Sequence, residues 1–190
     1  MEIQKMLQIF KLYLAAYYLA IFFFCPINSY ALTLEQAYKE IPHRQTQYLE
    51  TIAKIDPAYS KQLKKIFRLT DNAVVAKVEA LLWLSGNKTK GKDIRQYKVK
   101  IVSILKSLKK IEVSKDIKPV KDLIVKAISE QKLFLETKNK LDKNWHKNSL
   151  VISSSNKLKS AYSILMKAFK NEAAINKQAF FDHLCALDFI

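Results

Sequence analysis

Glycine is almost missing from this chain. Only Gly86 and Gly91 occur in 190 residues, and on that scarcity no G-x-G-x-x-G fingerprint and no Walker A loop is expected. Turn-rich β architectures and propellers are excluded by the same shortage, helped by a count of only four prolines. Cysteine is equally scarce, with Cys25 and Cys185 alone, which rules out a disulfide framework. Three histidines, His43, His146 and His183, leave little material for a metal site, and no H-E-x-x-H, paired-cysteine or G-x-S-x-G pattern appears. No cofactor is expected. Arginine is the most telling absence among the bases. Against 33 Lys+Arg in all, only Arg44, Arg68 and Arg95 are arginine. Lysine is a point charge without the planar fork that reads guanine edges and clamps phosphates, so sequence-specific nucleic-acid reading is not expected.

What is present is apolar and basic. Hydrophobic residues make up 49% of the chain and the formal net charge is +16. That apolar share is enough for a core and argues against disorder. Alternation of period 2 is absent, and helical punctuation runs throughout. The expected fold is all-α, a single-domain bundle of about six to seven helices over residues 32–190.

The first 31 residues differ from the rest. Lys5 and Lys11 form a positive lead, Leu12 to Phe24 carries no charge, Pro26 breaks the run, and Ser29-Tyr30-Ala31 offers small residues at the two positions a signal peptidase reads. Residues 1–31 therefore read as a secretory signal peptide cleaved after Ala31. An uncleaved membrane anchor is the alternative, although the strongly apolar stretch is shorter than the roughly 20 residues a spanning helix needs. The three phenylalanines before Cys25 do not suit a lipoprotein signal. Cleavage leaves Cys185 as the one remaining thiol, expected to be buried and free.

Helix signals follow in order. Thr33 and Gln36 fit a capping box, Asp56-Pro57 an N-cap followed by N1, and Asp71 a further N-cap before Val74, Val78 and Leu81. Gly86 stands where a helix stops. Residues 85–92 form the clearest loop, after which Asp93 caps the next helix. Ile94, Tyr97, Ile101, Ile104, Leu108 and Ile111 then trace a packing seam. Asp116 with Pro119 starts another helix, whose inner face runs through Val120, Ile124, Ala127 and Phe134. Residues 147–155, polar and serine-rich, read as a connection. Two helices close the chain, one on Leu158, Ala161, Leu165 and Phe169, the other on Phe180, Leu184 and Leu187. Ala-Tyr pairs recur without a fixed period, so a repeat array is not expected.

Charge concentrates between residues 88 and 143, where 17 basic and 7 acidic side chains leave +10 of the +16. Lys88, Lys90, Lys92, Arg95, Lys98, Lys109 and Lys110 mark the candidate basic surface, with Lys100 and Lys106 also expected to point outward. A diffuse lysine field attracts anions over long range, and salt weakens it. Anionic envelope components such as lipid headgroups or acidic glycans are the expected partners, with another protein as a further possibility. A plain solvated surface, in a lysine-, isoleucine- and asparagine-rich composition, is the competing explanation. The expected function is an exported, non-enzymatic helical binding protein of the cell envelope or secreted space. Two alternatives stand beside it: a secreted effector or toxin-like protein acting on another cell, and an enzyme with an unrecognised helical active site. For the last, Glu35, Glu40 and Glu50 near His43 are the candidate acid–base cluster, and His183 with Cys185 the candidate metal pair. Two residues apart on a helix, those two point about 200° apart and share a metal poorly. On this reading the exported protein begins at Leu32, which intact-mass analysis checks; retention of Met1 would mark an anchor instead.

Overall fold

The computed structural model describes residues 32–41, 45–87 and 93–189. Among the described residues the chain is all-helical, with six α-helices and no strand. They are α1 (Leu34–Lys39), α2 (Pro57–Leu84), α3 (Ile94–Lys110), α4 (Lys118–Glu136), α5 (Ser149–Ala168) and α6 (Ala174–Leu187). Short 3-10 turns occupy Glu50–Ile52 and Trp145–Lys147. Each long helix packs on its chain neighbour, and α6 returns to lie against α2, closing a ring of five helices. The short α1 lies on α2. No helix among the described residues is long and apolar enough to cross a membrane.

Local chemistry sets most helix ends. The Thr33 hydroxyl accepts from the Gln36 N–H while the Gln36 side chain accepts from the Thr33 N–H, a complete capping box. Asp56 accepts from Ala58 N–H at 2.7 Å with Pro57 in the first turn of α2, and Asp93 accepts from Gln96 N–H at 2.9 Å to start α3. Gly86 has φ +97°, and the ends of α2 close around it. A side chain at that φ would be strained, so glycine is required there.

Three expected boundaries fail for one shared reason. Asp71 does not cap a helix; it lies inside a single 28-residue α2, because its carboxylate turns into the core to meet His183. Asp116 does not cap α4, which begins after Ile117; its carboxylate accepts from the Tyr59 hydroxyl at 2.9 Å. Residues 147–155 are not a connection, because α5 starts at Ser149. Its serines serve as inter-helix donors and acceptors: Ser153 donates to Glu130, Ser154 accepts from Gln131, and Ser155 donates to Asp188. In each case a tertiary partner claims the group that the local pattern assigns to a turn or cap.

The core is continuous and rich in aromatics. Tyr97, Ile101 and Leu108 of the α3 seam are buried, as are Val120, Ile124, Ala127 and Phe134 of α4. Phe67, Phe169, Phe180 and Tyr48 form one ring cluster, with centroids 5.7 to 6.3 Å apart where they meet. The extended segment before α2 is stitched to α6 by buried polar side chains. Asn176 pairs with both the N–H and the C=O of Leu49, and Glu172 accepts from Lys54 N–H at 2.8 Å and from the Tyr48 hydroxyl. These bonds give partners to backbone groups that no regular helix or strand satisfies.

Lys77 is the least expected core residue. It is 2% exposed and sends its ammonium to the C-terminal end of α6, donating to the carbonyls of Ala186 (2.8 Å), Leu187 (3.1 Å) and Asp188. The Phe189 ring lies 5.4 Å from the same nitrogen. Three orphan carbonyls at a helix C-terminus form a negative cradle. Burial opposes the charge, pushing the ammonium down to about 7 despite the nearby Asp188. Between that value and its ordinary 10.5, the unfolded chain holds a proton the folded chain releases, so this group's contribution to stability rises with pH over that window. Lys77→Met should cost about 2–4 kcal/mol in chemical denaturation at pH 7, because the Ala186 and Asp188 carbonyls lose this donor while that of Leu187 keeps Gln131. The gap between wild type and variant should widen from pH 7 to pH 9.

Candidate functional site

The most distinctive surface belongs to α3. From Ile94 to Lys110 the helix carries Arg95, Lys98, Lys100, Lys106, Lys109 and Lys110 and not one acidic residue. The apolar seam fixes which side faces out. With Tyr97, Ile101, Leu105 and Leu108 inward, the outer ridge runs Arg95, Val99, Val102, Lys106, Lys109 at spacings of three and four. Val99 is 73% exposed and Val102 48%, so bare apolar side chains sit between the charges at the two ends of the helix.

The bases on α3 divide into two sets. Lys98 reaches Glu136 of α4 at 3.7 Å and Arg95 pairs with Asp93 at 3.2 Å. Lys100 is half-buried and does not point freely outward, because it binds Glu79 of α2 at 2.6 Å. Lys106, Lys109 and Lys110 are exposed and make no ion pair among the described residues. Lys88, Lys90 and Lys92 lie outside the described residues. Within α3, then, Lys100 alone turns away from the expected surface; Arg95 and Lys98 stay exposed, and the lysines without an ion pair lie at the C-terminal end of the helix.

There the structure adds bases from another element. An open groove of about 620 Å³ runs between the start of α2 and the end of α3, with Lys61, Lys65 and Lys110 on its walls, Ser107 and Gln62 between them, and Glu112 as its acid. Lys61 and Lys65 come from a stretch, residues 32–87, whose overall charge is only +2. Block charge sums hide them, since their neighbours Glu50, Asp71 and Glu79 are engaged with Lys64, His183 and Lys100 respectively. The one signal in the sequence is helical spacing: Lys61 and Lys65 are four apart and share a face. An open, lysine-walled groove continuous with a basic ridge can hold an extended anion by attraction without directional chemistry.

Two other clusters were candidates for chemistry. His183 donates or accepts at Nδ1 with Asp71 Oδ1, 2.7 Å away. Because a carboxylate only accepts, the ring proton sits on Nδ1. Tyr38 also donates to Asp71, at 3.4 Å, and burial together with that carboxylate pushes the phenol strongly up. The imidazole stacks on Phe67 at 4.6 Å and 8°. Its Nε2 is buried and makes no hydrogen bond. A carboxylate–imidazole pair is the basic half of an acid–base device, but here its free edge is shut away from solvent, and the pair ties α1, α2 and α6 together. Cys185 does not join it. The thiol is half-buried rather than fully buried, in a groove of about 250 Å³ between α5 and α6 beside Tyr162 and Phe181, and burial pushes it up. Among the described residues no group of His, Cys, Asp and Glu is arranged to hold a metal ion.

The remaining sequence candidates are placed simply. Glu35 pairs with Lys39 at 2.8 Å, which holds its carboxyl below the usual range. Glu50 pairs with Lys64 at 3.2 Å, and His43 lies outside the described residues. The expected lack of a Walker A loop does not follow from the glycine count, because Gly86, Gly91 and Lys92 have its spacing; Asp93 stands where that loop needs Ser or Thr, and a helix rather than a strand precedes it.

Compared with family models, characterised proteins and solved structures, the chain matches none. The fold is thus an all-α helical bundle, and its function must be argued from its surface. Asp71→Ala tests the structural assignment of the buried pair: it removes the carboxylate that the imidazole and the Tyr38 hydroxyl share and should cost about 2–4 kcal/mol in chemical denaturation. Binding of the folded variant to anionic surfaces should be unchanged.

Proposed function

We propose that this protein is an exported, non-enzymatic binding protein whose α3 ridge and adjoining groove engage anionic components of the cell envelope. One observation carries the reading: six basic residues and no acidic one on α3, with Lys106, Lys109 and Lys110 left without ion pairs among the described residues and joined by Lys61 and Lys65 across the groove. The signal-like residues 1–31 support the exported location. Exposed Val99 and Val102 beside the lysines favour a lipid surface over a soluble polyanion, since an interface rewards apolar contact and charge together.

The test is binding to vesicles containing phosphatidylglycerol, followed by sedimentation at increasing salt. Wild-type protein should bind at low ionic strength and release as salt rises. Replacing Lys61, Lys65, Lys106, Lys109 and Lys110 with Gln should weaken binding at least tenfold, given about 1 kcal/mol per base near an anionic surface. The same number of replacements at Lys54, Lys126, Lys140, Lys167 and Lys170, all exposed elsewhere, should do much less. Equal losses from both sets would reduce the ridge to one part of a general positive field. No binding by wild type would make these lysines a solvated surface.

A further inference from the structure

Glu79 is a buried carboxylate in the middle of α2, 1% exposed. Its Oε2 receives Lys100 from α3 at 2.6 Å. Its Oε1 receives the backbone N–H of Leu32 at 3.1 Å, 47 residues earlier in the chain. Leu32 is no arbitrary donor. It is the residue on the far side of Ser29-Tyr30-Ala31, and it directly precedes Thr33, whose capping box fixes the backbone entering α1. Ala37 and Tyr38 then bury α1, against α2, so the nitrogen of Leu32 is held beside the carboxylate from two directions.

We propose that the Ala31–Leu32 bond is the processing site and that Glu79 is the receptor for the α-ammonium its hydrolysis creates. This rests on reading residues 1–31 as a signal peptide. In the reaction, water adds across the peptide bond under a signal peptidase: the C–N bond breaks, hydroxyl goes to the Ala31 carbonyl carbon, and Leu32 nitrogen gains a hydrogen. At neutral pH that amine takes up a further proton. A neutral amide with one N–H becomes an ammonium with three, at a nitrogen already within hydrogen-bond reach of a buried carboxylate oxygen. The contact changes from an amide N–H on a carboxylate to an ammonium–carboxylate ion pair, and processing strengthens the docking of α1 on α2.

The groups facing this position are few. Lys100 occupies the other carboxylate oxygen from α3. Lys77, two residues before Glu79, is committed to the carbonyls at the end of α6. On α1, Glu35 and Lys39 pair with each other on the exposed side. The opposite charge of Glu79 favours the ammonium, while Lys100 and partial burial oppose it; direct contact with the carboxylate is the dominant effect.

The experiment expresses the full chain in an exporting bacterial host and purifies the exported protein. Intact mass gives the first residue, and the α-amino pKa is read from amine-labelling rates across pH with peptide mapping. A chain beginning at Leu32 with an α-amino pKa at least one unit above the ordinary value of about 7.7–8.0 is the expected result. Glu79→Gln should return it to the ordinary range, and acetylating the α-amine of wild type should lower Tm by several degrees. A chain that begins at Leu32 with an ordinary pKa overturns the receptor role of Glu79 and leaves the signal peptide standing. A chain that begins elsewhere or keeps Met1 overturns both. The wild-type measurement decides the matter even if Glu79→Gln does not fold.

Discussion

The fold depends on the ionisable side chains that α2 carries into the interior. Asp71, Lys77 and Glu79 are all buried, and each would be costly there without partners. Their partners come from α1 and the residue leading into it, from α3 and from α6. Asp71 takes Tyr38 and His183, Lys77 takes the closing carbonyls of α6, and Glu79 takes Leu32 and Lys100. A central helix with these demands admits only an arrangement that brings α1 and α6 to it. Apolar packing against α2 could tolerate sliding; these directional contacts fix the register. They also tie α1 and the end of α6 to α2.

The same bookkeeping of charge decides where the surface field lies. Lys100 is consumed by Glu79, so part of the positive charge on α3 supports the bundle instead of facing solvent. What remains gathers toward the end of α3 and meets Lys61 and Lys65. The carboxylates that could have cancelled it are turned inward. An interior built partly from acidic side chains leaves the exterior more basic than composition alone requires, and that field acts at a distance set by ionic strength.

The sequence was legible wherever the physics is local. The capping box at Thr33, the Asp56-Pro57 start, the Asp93 cap and the stop at Gly86 each involve groups within a few residues of one another, and each appears as the pattern indicates. The apolar seams on α3, α4 and α6 were readable for a similar reason, since helical periodicity places side chains on one face before any partner is known. The basic character of α3 was readable from composition. Its usable extent was not, because that depends on which lysines find a carboxylate on another helix.

Tertiary structure decided the fate of each ambiguous polar residue. Asp71 and Asp116 have the chemistry of caps, and Ser153, Ser154 and Ser155 have the chemistry of a loop, yet distant partners claim all five. Lys61 and Lys65 reach the groove only because α2 and α3 lie side by side. Glu79 and Leu32 meet across 47 positions. By itself the sequence determined the all-helical character, several helix ends and the sign of the charge, since these follow from neighbours along the chain. Which charges are buried and which face solvent was decided only by packing, because the free energy of a buried charge depends on partners that the chain brings near only when it folds.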